Sequence, residues 1–152
     1  QLKDINLYLN TRNKKHNIKF SQTKRKINLL DHYIWWFNNK REGYTAYYNG
    51  KPVIFFYHDT HFFNNKKIII PGWMSIEDNL NFMLVLKSTV IHYNLLKKIK
   101  NKTTIGLINI RNYAMLKFAN KLNWKKLDKS NELYDLTKKK LKLDNNYQIF
   151  IR

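Results

Sequence analysis

The residues Ile5-Asn6-Leu7-Tyr8-Leu9 alternate apolar and polar positions in part, and a period of two predicts a short strand or extended lead-in. From Thr11 to Lys26 the chain is basic and polar, with Ile18 and Phe20 as its large apolar anchors, which predicts a short helix and a loop. A helix is predicted from Asn28 to Phe37. Asn28 can cap it, Asp31 suits the positive end of its dipole, and Leu30, Ile34 and Phe37 share a face expected to meet the core. Gly43 breaks that pattern. Tyr44 to Tyr48 and Val53 to Tyr57 then predict two strands around Asn49-Gly50, a dipeptide that favours a type I′ hairpin turn. Pro52 cannot donate to a ladder and is expected at a strand start. Lys67 to Ile70 predicts a third antiparallel strand, ended by Pro71-Gly72.

Ser75 is a good helix cap with Glu77 and Asp78 behind it, so a long helix is predicted from Ser75 to about Lys100. Leu80, Met83, Leu84, Ile91 and Leu95 would form its core stripe, and Lys97, Lys98 and Lys100 would suit its C-terminal end. Thr103 to Ile108 predicts a β-branched strand, and Asn112 to Leu122 a second helix with Met115, Leu116, Phe118 and Ala119 among its apolar positions. Leu133 to Leu136 and Tyr147 to Ile151 predict two closing strands. A strand, a long helix and another strand in succession imply a parallel pair with a right-handed crossover. The expected class is α/β: a central mixed sheet flanked by helices on both faces. No repeat or Pro/Gly/Ser linker divides the 152 residues, so one domain over 1–152 is expected.

Charge changes this picture. The chain carries 29 Lys and Arg against 10 Asp and Glu, a net charge of +19. Such a field attracts polyanions, so a nucleic acid partner stays open as the lesser reading. Lysine dominates over arginine, and Asn and Ile are abundant as well; AT-rich codons alone account for that bias. The absence of cysteine removes disulfides and thiolate chemistry, which is compatible with a cytoplasmic protein. No apolar run is long enough to predict a membrane span, and no signal peptide is visible at the start of the sequence. A homodimer is compatible with the sequence.

His58-Asp59-Thr60-His61 is the densest group of candidate chemistry. Its spacing matches no zinc signature, so no metal is expected. His58 or Asp59, at the end of a central strand, is a candidate general base. Trp35, Trp36 and Phe37 are expected to pack into the core. His32 is expected at the surface or at a cap, and Lys138-Lys139-Lys140 as a solvated run.

The run Asn112-Tyr113-Ala114-Met115-Leu116-Lys117-Phe118-Ala119-Asn120-Lys121-Leu122-Asn123-Trp124 resembles the coenzyme-A-side helix of the GNAT superfamily of N-acyltransferases. Asn123 stands where those proteins usually have glycine, and asparagine also enters the left-handed region that ends helices. His32-Tyr33-Ile34-Trp35-Trp36-Phe37 and Leu9-Asn10-Thr11-Arg12-Asn13 are similar to segments of relatives that acetylate amino sugars on nucleotide carriers. The resemblance implies acetyl-CoA as cofactor and a small amine as acceptor, with an amino sugar or its nucleotide derivative among the candidates. It implies cofactor contacts from Gly72, Trp73, Met74, Ser75, Asn109 and Asn112. Two departures follow. The stretch Gly72 to Asn79 has one glycine, no arginine and two acids, where the family carries a basic glycine-rich phosphate loop. Ala119 stands where many members place a tyrosine acid, which leaves Tyr113 as the candidate on that helix. A GNAT-like binding or scaffolding domain without the cofactor is the alternative these departures motivate.

Overall fold

The computed structural model describes residues 2–39 and 41–152. Three helices open the chain: α1 (Leu2–Arg12), α2 (Lys15–Phe20) and α3 (Leu29–Asn38). Strands β1 (Arg41–Tyr48), β2 (Lys51–Phe63) and β3 (Lys66–Ser75) form an antiparallel meander. Helix α4 (Phe82–Lys97) crosses to β4 (Lys102–Asn109), which runs parallel to β3. Helix α5 (Tyr113–Lys121), β5 (Lys125–Lys126), α6 (Glu132–Lys140) and β6 (Tyr147–Ile151) complete a six-stranded sheet of order β1-β2-β3-β4-β6-β5. The predicted α/β architecture is therefore present.

Helices cover both faces of the sheet. On one face Val85 of α4 packs with Val53, Ile54 and Phe56, while Ala119 of α5 packs with Ile108 and Phe150. On the other, Tyr8 of α1 packs with Phe55, Met74 and Trp36, and α6 covers Phe63, Ile68, Ile70, Ile105 and Ile149. Each fully buried Ile or Phe adds about 1.5–3 kcal/mol over its exposed state.

Several local expectations hold. Asn49 and Gly50 both take positive φ, as a type I′ turn requires. Asn28 caps α3 by accepting from the Asp31 N–H, and Asn112 caps α5 by accepting from the Met115 N–H. Asn123 ends α5 with φ of 57°.

Others are corrected. Residues 5–9 lie in α1, not a strand. Ile5, Tyr8, Leu9 and Arg12 are all buried, so the true period is helical and only a five-residue window looked alternating. The Leu30, Ile34 and Phe37 face of α3 points to solvent, with Leu30 69% and Phe37 70% exposed. The helix is turned instead by an aromatic cluster in which Tyr8 stacks on His32 at 5.3 Å and meets Trp36 edge-on at 5.4 Å. His32 is consequently buried, its ring Nε2 lying 3.2 Å from the Ile5 carbonyl. Gly43 lies inside β1 because the Phe55 ring occupies the space where a Cβ would stand.

Strand β3 runs through Pro71-Gly72 as far as Ser75, and α4 starts at Phe82 with Asn81 as its cap, so Ser75, Glu77 and Asp78 do not open the helix. Its buried face is Val85, Ser88, Thr89, His92 and Leu96, whereas Met83, Ile91 and Leu95 are exposed. The small polar residues let α4 approach the sheet, and Thr89 satisfies its hydroxyl on the Val85 carbonyl at 2.7 Å. Leu133 to Leu136 belong to α6, which Asn131 caps, with acids in its first turn and Lys138, Lys139 and Lys140 in its last.

The Trp124 ring lies beneath β4. A Cβ on Gly106 would stand 2.9 Å from the Trp124 ring atom Cζ3. Gly106→Ala is expected to cost about 1–3 kcal/mol through overpacking. Urea unfolding followed by tryptophan fluorescence checks this, and an unchanged midpoint contradicts the packing described.

Candidate active site

The site originates in an interrupted sheet. Strands β3 and β4 pair only at Lys67↔Lys102, Ile68↔Thr103 and Ile69↔Thr104, after which they diverge. Ile76 donates its N–H to Val53 on β2, so by alternation the odd-numbered residues Pro71, Trp73 and Ser75 direct their backbone groups toward β4. The first of these, Pro71, has no N–H, which removes a donor just where the parallel ladder stops. The backbone of Trp73 and the Ser75 N–H are left on that side.

A cavity of about 550 Å³ opens there. Pro71, Gly72, Trp73 and Met74 of β3 line it together with Gly106, Leu107, Ile108 and Asn109 of β4. Asn112, the cap of α5, with Met115 and Ala119 of that helix and His92 and Tyr93 of α4 add to one side, and Tyr8, Arg12 and Trp35 to the other. Gly72 has no alternative at its position, since a Cβ would fall 2.3 Å from the Tyr57 ring carbon Cζ. That absence of a side chain allows Tyr57 to lie in the wall.

Asp59 and Arg41 form the polar centre of the meander. They are cross-strand partners, and Arg41 grips the carboxylate in a fork, with Nε donating at 2.7 Å to Oδ1 and Nη2 donating to Oδ2. Its Nη1 donates to the Tyr8 hydroxyl. The guanidinium also lies over the Tyr57 ring at 4.0 Å and the Trp35 ring at 4.5 Å. Burial is the largest single effect and disfavours the Arg41 charge, but the Asp59 hydrogen bond together with the fields of Tyr8, Tyr57 and Asp59 outweighs it, so its pKa is raised. The Tyr8 hydroxyl is held well above its ordinary pKa by burial, against the pull of Arg41.

The sequence candidates separate. Asp59 lines the cavity; His58, its neighbour in a pleated strand, faces the opposite side. There it stacks on Tyr44 at 5.9 Å and lies 6.2 Å from the His92 ring, with Nε2 3.5 Å from Glu42 Oε1. Burial lowers the His58 pKa despite Glu42. Tyr113 is 72% exposed and lines a separate shallow groove with Phe82, Lys117 and Lys121, so the structure does not bring it to the main cavity. Gly72, Trp73, Met74, Asn109 and Asn112 share that cavity. Ser75 ends β3, and its carbonyl accepts from Asn17 Nδ2 at 2.8 Å and lies 3.0 Å from His16 Nε2. Asn109 accepts from the Arg111 N–H at 3.0 Å. No group of three or more His, Asp or Glu side chains poised to hold a metal occurs among the described residues.

The acidic stretch after β3 is also clamped from α2 and its N-cap, Lys14. His16 Nδ1 lies 2.9 Å from Asp78 Oδ1, Lys14 Nζ lies 4.0 Å from the same oxygen, and Lys14 donates to the Ile76 carbonyl at 2.5 Å. Asp78 is thus held beside Lys14 and His16. Arg12, Arg41, Tyr57, Tyr93 and Tyr147 were not singled out as site residues by the sequence. Arg12 was visible only within the Leu9 to Asn13 match, and Arg41 could be found only through its register with Asp59.

No family model matches the chain, and no curated protein matches its sequence. Solved structures do. A domain from Methanocaldococcus jannaschii is similar with a TM-score of 0.75 at 19% identity, covering 100% of this chain and 93% of that one. The aminoglycoside acetyltransferase AAC(6')-Ib, in complex with paromomycin and acetyl-CoA, gives 0.73 at 10% identity over 98% of this chain and 86% of that one. An N-acetyltransferase from Staphylococcus aureus gives 0.63 at 14% identity, covering 99% and 92%. The chain has the GNAT-type fold. No described helix is long and apolar enough to cross a membrane.

His92 makes the site's framework acid-sensitive. It is buried beside Phe56 at 4.8 Å, and burial first, then the nearby His58, lowers its pKa to about 4. In the unfolded chain the imidazole protonates near its ordinary value of 6.5, so the unfolded state binds the proton first as pH falls. Stability is full above about 6.5 and declines down to about 4. Between about pH 7 and about pH 5 this histidine alone is expected to remove about 2 kcal/mol. Urea midpoints at the two pH values check this, and His92→Gln should flatten the dependence.

Proposed function

We propose that this chain is one acyltransferase domain that moves an acetyl group from acetyl-CoA to a small amine. The observation that carries the proposal is the three-pair parallel ladder between β3 and β4, which opens into a cavity lined by both strands. The same overall fold, over almost the full chain, occurs in a structure described as an acetyltransferase with bound acetyl-CoA. The residues of the gap fit an extended amide-bearing arm. The Trp73 backbone faces it, the Tyr57 and Trp124 rings wall it over Gly72 and Gly106, and Asn109 and Asn112 stand on the β4 and α5 side. The bound cofactor would supply a thioester carbonyl open to attack by an amine.

The protein's own contribution is positioning. An amine held against that carbonyl reacts as if at very high local concentration, and fixed donors stabilise the developing oxyanion. Asp59 alone of the candidate bases shares the cavity; its two oxygens are engaged by Arg41, so its proposed role is to order the acceptor wall. In place of the tyrosine absent at Ala119, the cavity offers Tyr93, whose hydroxyl is buried beside Arg152 and whose pKa burial raises against the effect of that arginine. Tyr93 is suited to hold a proton for a leaving thiolate. An amino sugar or its nucleotide derivative is the acceptor class proposed, in line with the AAC(6')-Ib complex with kanamycin.

A second reading, a GNAT-like binding domain without the cofactor, is favoured by the stretch between Ser75 and Asn81, which lacks the glycine cradle. Titration calorimetry with acetyl-CoA and CoA separates the two. Saturable one-to-one binding is expected at micromolar ligand. No heat of binding up to millimolar ligand overturns the acyltransferase proposal and leaves the binding domain.

A further inference from the structure

The acceptor side of the cavity holds two guanidinium groups and one carboxylate. Arg41 takes both oxygens of Asp59. Arg12, the last residue of α1, is 6% exposed and lines the same cavity. Its Nη2 donates to the Thr23 carbonyl at 2.6 Å, while its Nη1 is buried with no hydrogen-bond partner. Among the described residues no carboxylate pairs with Arg12. The groups that act on it electrostatically are the phenols Tyr8, Tyr57 and Tyr147 and the like charge of Arg41, and burial dominates, lowering its pKa.

A buried charge without a counter-charge is strongly unfavourable, and buried polar side chains in native proteins are almost always satisfied. Loss of the proton is no remedy for a guanidinium, which remains charged in proteins. The cavity is also unlike one built for a polycation, because Asp59 is the only carboxylate among its described lining residues. The missing partner is therefore one that enters the cavity with negative charge. A planar fork of N–H donors matches a carboxylate or phosphate oxygen pair best.

We infer that Arg12 is an oxyanion-binding site on the acceptor side of the cavity, so that the acceptor is a small amine that also carries a carboxylate or phosphate group. The inference rests on the acyltransferase reading for the amine and on the geometry of Arg12 for the anion. It narrows the acceptor away from purely cationic amines such as kanamycin. It also assigns a purpose to the segment from Thr23 onward, whose carbonyl fixes one side of the guanidinium and leaves the other free.

The test uses paired probes that differ by one anionic group: ethanolamine with phosphoethanolamine, and propylamine with β-alanine. Affinities are measured by calorimetry at constant ionic strength on the wild-type chain and on Arg12→Gln and Arg12→Lys. Inorganic phosphate and acetate serve as bare anions. The anion-bearing member of at least one pair should bind about 10-fold tighter than its partner without the anion, as one charged hydrogen bond provides. Arg12→Gln should erase that preference, and Arg12→Lys should keep part of it. Arg12→Gln should unfold at the same or a higher temperature than wild type, because it removes an uncompensated buried charge. The phosphate pair and the carboxylate pair identify the anion. Equal binding within both pairs, a preference that survives Arg12→Gln, or no binding of any anionic probe at tens of millimolar overturns the inference. CoA affinity, measured on the same variants, keeps the two claims apart. Intact CoA binding without an anion preference sinks the Arg12 site alone, and Arg12-dependent anion binding without CoA binding sinks the acyltransferase reading alone.

Discussion

The parting of β3 from β4 is the constraint on which the rest depends. A parallel pair normally continues as long as both strands can supply donors and acceptors. Here it stops after Ile69↔Thr104, and the next donor position on the β4 side is a proline. Both strands continue as strands because each retains its other neighbour: β2 holds β3 to Ser75, and β6 holds β4 to Asn109. The result is a gap in the middle of a sheet, walled by rigid elements and floored by helices on both faces. Backbone groups turned into such a gap must find partners, and an extended ligand with amides of its own can satisfy them.

The charges around the gap follow a division set by the pleat of β2. Asp59 faces α1 and α3, where Arg41, Arg12 and several phenols collect, while His58 faces α4 and meets His92 and Tyr44. One face is thus a polar wall able to orient an acceptor, and the other a buried imidazole pair that supports the framework while neutral. The net charge of +19 enters the site only through these particular groups. Most lysines lie on the outer surface.

Much of this was legible in the sequence where local chemistry decides the structure. Asn49-Gly50, the caps Asn28 and Asn112, and Asn123 all behave as their short-range preferences require. Errors arose where tertiary contacts overrule local pattern. The α1 segment looked alternating over too short a window. Pro71-Gly72 looked like an end but lies inside a strand, because β2 supplies the pairing that β4 does not. The apolar stripe expected on α3 faces solvent, and that of α4 is only partly right: Leu80 and Leu84 pack on the core, but Met83, Ile91 and Leu95 are exposed and Val85, Ser88, Thr89, His92 and Leu96 form the buried face. In the site, Asp59 was visible as a titratable residue near a strand end. Its partner Arg41 was not, because the link between them is register. Nor was Arg12, whose significance comes from an unpaired atom that only three-dimensional packing reveals.

Residue-resolved amide hydrogen exchange with and without CoA addresses the central claim most directly. The gap-facing amides of β3 are those of Trp73 and Ser75, while Gly72 and Met74 are already bonded to β2 by the alternation of the strand. If the gap receives the cofactor's arm, exchange at Trp73 and Ser75 slows markedly on CoA binding and that at Gly72 and Met74 changes little. Saturable CoA binding that leaves Trp73 and Ser75 exchanging at their free rates would contradict the account.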